Sequence, residues 1–491
     1  MVQWGAGSGD DGAGEAAALG VLAGFREELY WSLTRRADAL FELGDAVLCG
    51  PGRVTDLARL SLVPEFSRGH GALYDALNAG HVGFARLRRA LAGLPLPAWP
   101  DGRIRLAVDV TPWLRPDAWA SPGRLFCHVH GRGRNASQRV PGWPYSVVAA
   151  LGPGASSWTL PLDVVRLGPD DDECAVTAGQ LREVFARLEA AGQWERGRPE
   201  VVIVMDAGYN VTRLAWLLAD LPVIVAARVR ADRVFYRPAP PRAPHAPGRR
   251  ARHGTPVKCA DPATWDGADV EQQGRGTRHG PVTVTAWHRV HQQVHRHTGG
   301  FEDWPGDREL PLVEGTLIRL SAARPAGGKA LEPMWLWASA PDAGPGLLAV
   351  CWQAYLRRFD LEHTFRFLKQ QLGWTRPLLR DPAAADRWTW LVIAAYAQLY
   401  LARALSAVTR LPWQPRQPPG EMTPARVRAG FRRARDQAGT PASTAKPSRP
   451  GPGRPKGSRN KRKAPRRRPG KHTLKQPKQA KNPRKKAKQT G

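Results

Sequence analysis

The chain has 491 residues, 42% of them hydrophobic, and a formal net charge of +30 at pH 7. That length can hold two or more domains, and that hydrophobic fraction excludes a wholly disordered chain. Five scattered cysteines with no C-x-x-C pair argue against a disulfide framework and for a reducing compartment.

The first 14 residues are small and flexible in composition. They lack a charged segment followed by an apolar run, so no signal peptide is expected. From about Glu15 to Pro95 the apolar residues recur at helical spacing. FREELYWSLTRRADALFELGDAVL reads as one helix, and DLARLSLV and ALYDALNAGHVGFARLRRALAGL as shorter ones. Residues 1–98 are therefore assigned to a helical N-terminal domain, either DNA-end binding or a plain structural bundle. After the linker LPLPAWPDGR the period changes. RIRLAVDV, RLFCHVHG and YSVVAALG read as an antiparallel meander. A helix (DDDECAVTAGQLREVFARLEAAG), a buried strand (VVIVMDAG), a helix (RLAWLLADL) and another buried strand (VIVAARVR) complete residues 99–230. This order predicts an α/β fold with a mixed sheet and helices on its faces.

Residues 231–333 open with a Pro- and Arg-rich stretch and continue with strand candidates such as PVTVTAWHRV and LPLVEGTLIRLSA, a β-rich insertion. MWLWASA returns to the main sheet and opens the second part of the core, residues 334–410. Its apolar run WTWLVIAAYAQLYLARAL is too short and interrupted for a membrane span and reads as a core helix. A soluble, cytoplasmic protein is expected. In residues 411–491, 25 Lys and Arg face only Glu421 and Asp436, which puts +23 of the net charge there. Such a block reads as a mostly disordered arm that binds a polyanion, nucleic acid above all. Within it Thr423-Pro424 can cap one basic helix, PARVRAGFRRARDQAG. Gly453-Arg454-Pro455 resembles the core of a minor-groove AT-hook, although Pro452 stands where Arg is usual.

The segment AYLRRFDLEHTFRFLKQQLG reads as a helix that places Tyr355, Arg358, Glu362 and Lys369 on one stripe about 60° wide. A carboxylate flanked by two cations and a phenol suits a metal site beside a polyanion. Asp109 near the end of RIRLAVDV and Asp206 at the end of VVIVMDAG are strand-end carboxylates, costly unless paired or metal-bound. Each alone is equally credible in a turn or cap, and Glu362 alone in an ion pair. Together the three form a set suited to two-metal phosphodiester chemistry. The run Asp170, Asp171, Asp172 and Glu173 precedes a helix and reads as favourable dipole charge. His288, His291, His295 and His297 lack a zinc-ligand spacing, and Gly327-Gly328-Lys329 is not a phosphate-binding loop.

The spacing Tyr355-(2)-Arg358-(3)-Glu362-(6)-Lys369 resembles the YREK signature of bacterial insertion-sequence DDE transposases. Asp109 and Asp206 are similar to that family's first two acids, and DAGY at Asp206–Tyr209 to a common local form. The N-terminal segment is similar to actinobacterial members. The resemblance, over roughly residues 20–410, implies an RNase H-like core and cut-and-paste DNA transposition. It implies that Asp109, Asp206 and Glu362 bind two Mg²⁺ ions, with Mn²⁺ as a substitute. It also implies that Tyr355, Arg358 and Lys369 hold end phosphates and that an insertion aromatic, Trp287 or Trp304, stacks on a flipped base; core packing is the competing role for Trp287. The partners would be double-stranded DNA, as terminal inverted repeats and target, and a second copy of the chain; no membrane partner is expected. The alternatives are a nuclease of the same core without strand transfer and a catalytically silent DNA-binding protein.

Overall fold

A computed structural model of the chain describes residues 11–130, 137–154, 156–242, 250–276, 280–296, 304–322, 333–408, 421–446 and 464–470, with a few isolated positions between them. The stretch expected to be one long helix is two, α1 (Asp11–Ser32) and α2 (Ala37–Cys49). They are divided by β1 (Leu33–Arg35), after which Arg36 adopts a left-handed backbone with φ 59°. The cause lies far along the chain: β1 pairs with β2 (His81–Val82), and the Gly83 N–H donates to the Ser32 carbonyl at 2.7 Å. Helical periodicity cannot reveal a break made by a distant strand. The short helices α3 (Leu57–Leu60), α4 (His70–Ala79) and α5 (Phe84–Ala92) complete the N-terminal part.

The core begins with β3 (Arg105–Leu114), β4 (Leu125–His130), β5 (Ser137–Leu151) and β6 (Thr159–Arg166), where β3, β4 and β6 each pair antiparallel with β5. Next come α6 (Glu173–Ala190), β7 (Val201–Met205), α7 (Val211–Leu217) and β8 (Val223–Val229). β7 lies parallel to β3, and β8 parallel to β7. The resulting order β6-β5-β3-β7-β8 is a mixed sheet consistent with an RNase H-like core. β6 is hidden in the sequence because TLPLDVVR carries Pro161 and Asp163 within it, both unusual in a central strand. Asp163 is fully buried there, and paired with Arg88 at 3.0 Å and with Arg187.

In the stretch expected as an insertion, β9 (Val234–Pro238) and β10 (His253–Lys258) make a small separate sheet. β11 (Val270–Gly276), β12 (Gly280–Val290), β13 (Gly315–Ala322) and β14 (Met334–Ala338) instead continue the core sheet, joined to it where β14 pairs with β8. The sheet reaches ten strands. Five helices follow: α8 (Pro345–Arg357), α9 (Phe359–Gln370), α10 (Pro382–Leu401), α11 (Arg403–Val408) and α12 (Pro424–Ala438). α10 is buried along nearly its whole length, as its apolar sequence predicts. Among the described residues no helix is long and apolar enough to cross a membrane.

α12 starts where its cap predicts, with the Thr423 side chain accepting from the Arg426 N–H. It is not a solvated arm. Val427 and Phe431 are fully buried, and the Arg428 guanidinium donates to the carbonyls of Val47 and Gly50. Arg432 and Arg435 pair with Glu65 and Asp45. The helix expected within the mostly disordered 411–491 tail therefore packs on the N-terminal part, with Arg432 and Arg435 on its acids and Arg428 on its carbonyls. Arg454 lies outside the described residues.

A buried knot ties the two ends of the chain. Arg26 donates to both carboxylate oxygens of Asp45, at 2.7 and 2.9 Å, to Gln398 at 2.6 Å and to the Gly439 carbonyl at 3.1 Å. Removing one member strands a buried charge, which typically costs about 3–5 kcal/mol. Asp45→Ala is expected to lower the free energy of unfolding by an amount of that order. Arg26→Met paired with Asp45→Leu is expected to lose less than Asp45→Ala alone. Chemical unfolding followed by tryptophan fluorescence checks both.

Candidate active site

β3 and β7 are adjacent and parallel, with Ala107 paired to Val204. Two residues further on, each strand line reaches its acid, so the two acids lie side by side: Asp206 directly follows β7 as expected, whereas Asp109, expected at a strand end, sits in the middle of β3, which runs on to Leu114. The third acid arrives on the α8–α9 pair. The segment expected to be one helix is divided at Arg358, whose backbone remains right-handed at φ −52°, ψ −32°. Its N–H is shared between the Ala354 and Tyr355 carbonyls, both at 3.0 Å. Because the handedness persists, the stripe survives the break and faces the two acids.

Arg358 stands at the centre of the cluster. Its Nη1 lies 3.1 Å from Asp109 Oδ2, and its Nη2 lies 3.0 Å from Glu362 Oε1 and 3.9 Å from Asp206 Oδ1. The Arg358 side chain is 5% exposed, whereas Asp109, Asp206 and Glu362 are 22%, 44% and 37% exposed. A buried cation is thus ringed by three acids that keep an edge toward solvent. Burial works against the guanidinium charge, but Asp109, Asp206, Tyr355 and Glu362 outweigh it and raise the pKa of Arg358. Burial pushes the Asp109 carboxyl up to about 6, against the pull of Arg358 and of a hydrogen bond from the Val110 N–H.

The rest of the quartet braces the same strands. The Tyr355 hydroxyl donates to Asp206 Oδ1 at 3.3 Å. Burial, then the Asp206 charge, pushes its pKa up to about 12. Lys369 Nζ donates to Thr111 Oγ1 at 2.6 Å and to the Pro112 carbonyl at 3.0 Å, and burial lowers its pKa to about 8. So all four positions of the stripe reach the strands that carry the acids. Tyr355, Arg358 and Lys369, expected to hold phosphate, are engaged with protein groups here.

Other expected site residues fall elsewhere. Trp287 is 1% exposed; its indole N–H donates to the Trp265 carbonyl at 3.1 Å and its ring packs on Trp335. A ring buried in the sheet has no open face for a base, so core packing replaces the stacking role. Trp304 packs against Trp216 and Phe301. His291 pairs with His253 at 2.8 Å and His288 lies 3.1 Å from the Ala343 carbonyl; His297 lies outside the described residues. Among the described residues no three His, Cys, Asp or Glu side chains form a group that could hold a metal ion, because the three acids converge on the guanidinium instead.

Two residues join the site that spacing does not single out. In the acidic run Asp172 is a helix cap, accepting from the Cys174 and Ala175 N–H groups at 3.0 and 3.1 Å. Glu173 is not. Burial, then Asp172 and Asp109, pushes its carboxyl up to about 7, and its Oε2 is buried without a hydrogen-bond partner. Tyr209, the last residue of DAGY, also has a buried hydroxyl without a partner. Burial, then Asp109 and Glu173, raises its pKa. The DAGY form is the only sequence signal for Tyr209. Glu173 has none, since four consecutive acids look alike before folding.

Carboxylates gathered on a mixed α/β sheet define an enzyme of the nuclease type. The chain belongs to the DDE superfamily endonucleases: the model of that family matches residues 28–294, more than half of its length. The match spans Asp109 and Asp206 and ends before Glu362 and the α8–α9 pair. No curated protein matches the chain.

Removing the central cation leaves three acids facing one another. Arg358→Gln is expected to destabilise the chain more at pH 8, where the acids are charged, than at pH 4–5; thermal melts across that range check it. Glu173 tests the same balance from the other side. Its folded pKa is raised, so its contribution to stability is fully present below its unfolded value near 4.5 and is lost as pH rises through about 7. Glu173→Gln is therefore expected to stabilise the chain at pH 8, by on the order of 2–3 kcal/mol, and to change little at pH 4. A melting profile parallel to the parent's at every pH would contradict this.

Proposed function

We propose that the chain is a transposase that cuts and joins DNA at the ends of a mobile element. The observation that carries this reading is the meeting of Asp109, Asp206 and Glu362 on one guanidinium, from three separate stretches of chain. Three carboxylates outnumber the one cation they surround, and each keeps an edge to solvent. Movement of the Arg358 guanidinium away from them would free hard oxygen donors of the kind divalent cations take. The donor set suits Mg²⁺: three hard carboxylate oxygens and no competing thiolate or imidazole among the described neighbours. Asp109, Asp206 and Glu362 would hold the ions, two of them in this reading, with Mn²⁺ as a substitute. When bound, the ions would supply charge stabilisation at the phosphodiester.

The protein's own groups do the rest. Arg358 keeps Asp109 and Glu362 close together against their repulsion. Tyr355 orients Asp206 through its hydroxyl. Lys369 ties Thr111 and Pro112 to α9, so the strand that carries Asp109 and the helix that carries Glu362 move as one. The substrate is double-stranded DNA, as the terminal inverted repeats of the element and as target. Two copies of the chain would hold the two ends together, in the cytoplasm where that DNA lies.

The test is incubation of the purified chain with duplexes taken from the DNA flanking its gene. Mg²⁺-dependent release of a 3′-hydroxyl and its joining to a second duplex is the expected result. Cutting without joining would reduce the reading to a nuclease, and binding without cutting would remove the catalytic part. Glu362→Ala is expected to keep DNA affinity within about twofold and to lower cutting by at least a hundredfold; retained cutting would remove Glu362 from the site.

A further inference from the structure

The cations expected to meet phosphate on α8 and α9 are tied to protein, which raises the question of where DNA finds positive charge near the acids. The basic C-terminal stretch supplies an answer in residues 464–470, APRRRPG. This segment lies along the stretch that leads into β4, from Trp119 to Arg124, and meets β4 at its first residues. The Arg467 N–H donates to the Trp119 carbonyl at 2.8 Å, and the Gly470 N–H to the Arg124 carbonyl at 2.7 Å. Gly470 and Leu125 form a parallel bridge, with the Phe126 N–H 3.4 Å from the Gly470 carbonyl. The start of the β4 edge is thereby covered.

Two features tie this docking to particular residues. Arg124 is 3% exposed and has no carboxylate partner; it satisfies its guanidinium on the carbonyls of Ser121, Arg115 and Arg467, at 3.2, 3.0 and 2.9 Å. One of the three acceptors thus belongs to the docked segment, and losing it would leave a buried cation undersatisfied. Gly470 fits against Pro169 and Leu125 so closely that an added Cβ would stand 2.6 Å from the Pro169 Cβ. The backbone is held while the side chains of Arg466, Arg467 and Arg468 are exposed and form no ion pair with any described residue. Asp117, near Trp119, is taken up by Arg115. Asp170, exposed after Pro169, flanks the Gly470 end only.

The position relative to the acids follows from strand register. Leu125 pairs with Gly142, and Gly142 with Leu114 of β3, the strand that carries Asp109. At about 4.8 Å between strands and about 3.3 Å per residue along them, the docked segment lies roughly 20 Å from Asp109. That is about six base-pair steps of duplex at 3.4 Å each.

We propose that residues 464–470 are a strap, docked on the β4 edge, that presents Arg466, Arg467 and Arg468 to the phosphate backbone of the same DNA duplex that reaches the acid cluster. The proposal rests on the function proposed above and adds a specific phosphate-binding surface to it. Its test uses the full chain and a 30-base-pair duplex, with affinity measured by fluorescence anisotropy over a series of NaCl concentrations. Replacing the three arginines together by glutamine (Arg466→Gln, Arg467→Gln, Arg468→Gln) is expected to reduce the log–log salt slope by about 2–3. Gly470→Leu keeps every charge but undocks the segment; affinity is expected to fall severalfold. The triple variant should melt as the parent does; Gly470→Leu should melt somewhat lower, because Arg124 loses one of its three acceptors, while remaining folded. An unchanged slope in the triple variant would overturn the phosphate contact. An unchanged affinity in Gly470→Leu, with a reduced slope in the triple variant, would overturn the docked strap in favour of a free arm. No DNA binding by the parent chain would instead sink the function on which the proposal rests.

Discussion

Three carboxylates cannot be packed together on a sheet without a countercharge, and Arg358 supplies it. Two like charges about 4 Å apart repel by about 4 kcal/mol at the effective dielectric of a protein surface. The guanidinium reaches Asp109 and Glu362 at hydrogen-bond distance and Asp206 at 3.9 Å, which holds the cluster together as built. It does so from the junction of α8 and α9, a place fixed by the backbone rather than by a flexible loop. The same geometry sets the limits of the site. Asp109 is buried enough to titrate near 6 in spite of its partner, and Lys369 near 8. An acid cluster balanced so closely responds to any added cation or anion.

Charge compensation governs the rest of the molecule as well. Much of the positive excess is spent inside the fold. Arg26 is held by Asp45 and Gln398, Arg428 by backbone carbonyls of α2 and the turn after it, and Arg124 by three carbonyls around β4. A guanidinium has five donors in a rigid fork, so it can be buried on carbonyl oxygens where an ammonium would remain short of partners. These contacts join segments hundreds of residues apart. They turn part of a stretch that reads as a solvated arm into a helix seated on the N-terminal helices and a short extended segment bridged to the start of β4. Of the charge that remains exposed, Arg466, Arg467 and Arg468 form no ion pair with any described residue.

How far the fold was legible depended on the range of the forces that shape each element. The buried strands β7 and β8 and the apolar α10 announce themselves, since burial on both sides demands mostly apolar residues. The caps at Asp172 and Thr423 are equally local. β6 was hidden because its Asp163 is neutralised by Arg88 and Arg187, which come from other helices. The break between α1 and α2 was hidden because the strand that causes it pairs across the chain. Trp287 could be an anchor for a base or a core ring on sequence grounds; its contact with Trp335 across the sheet decides for the core.

The sequence by itself determined most of the core strands and helices and singled out Asp109, Asp206 and the stripe of Tyr355, Arg358, Glu362 and Lys369, because alternation, capping and helical spacing are properties of neighbours along the chain. Only the tertiary structure decided which charges meet. It set Arg358 among the acids rather than at the surface, separated Glu173 from the cap beside it, and laid Gly470 against Leu125. Electrostatic energy depends on distance through space and on the water excluded there, and neither quantity exists until the chain has folded.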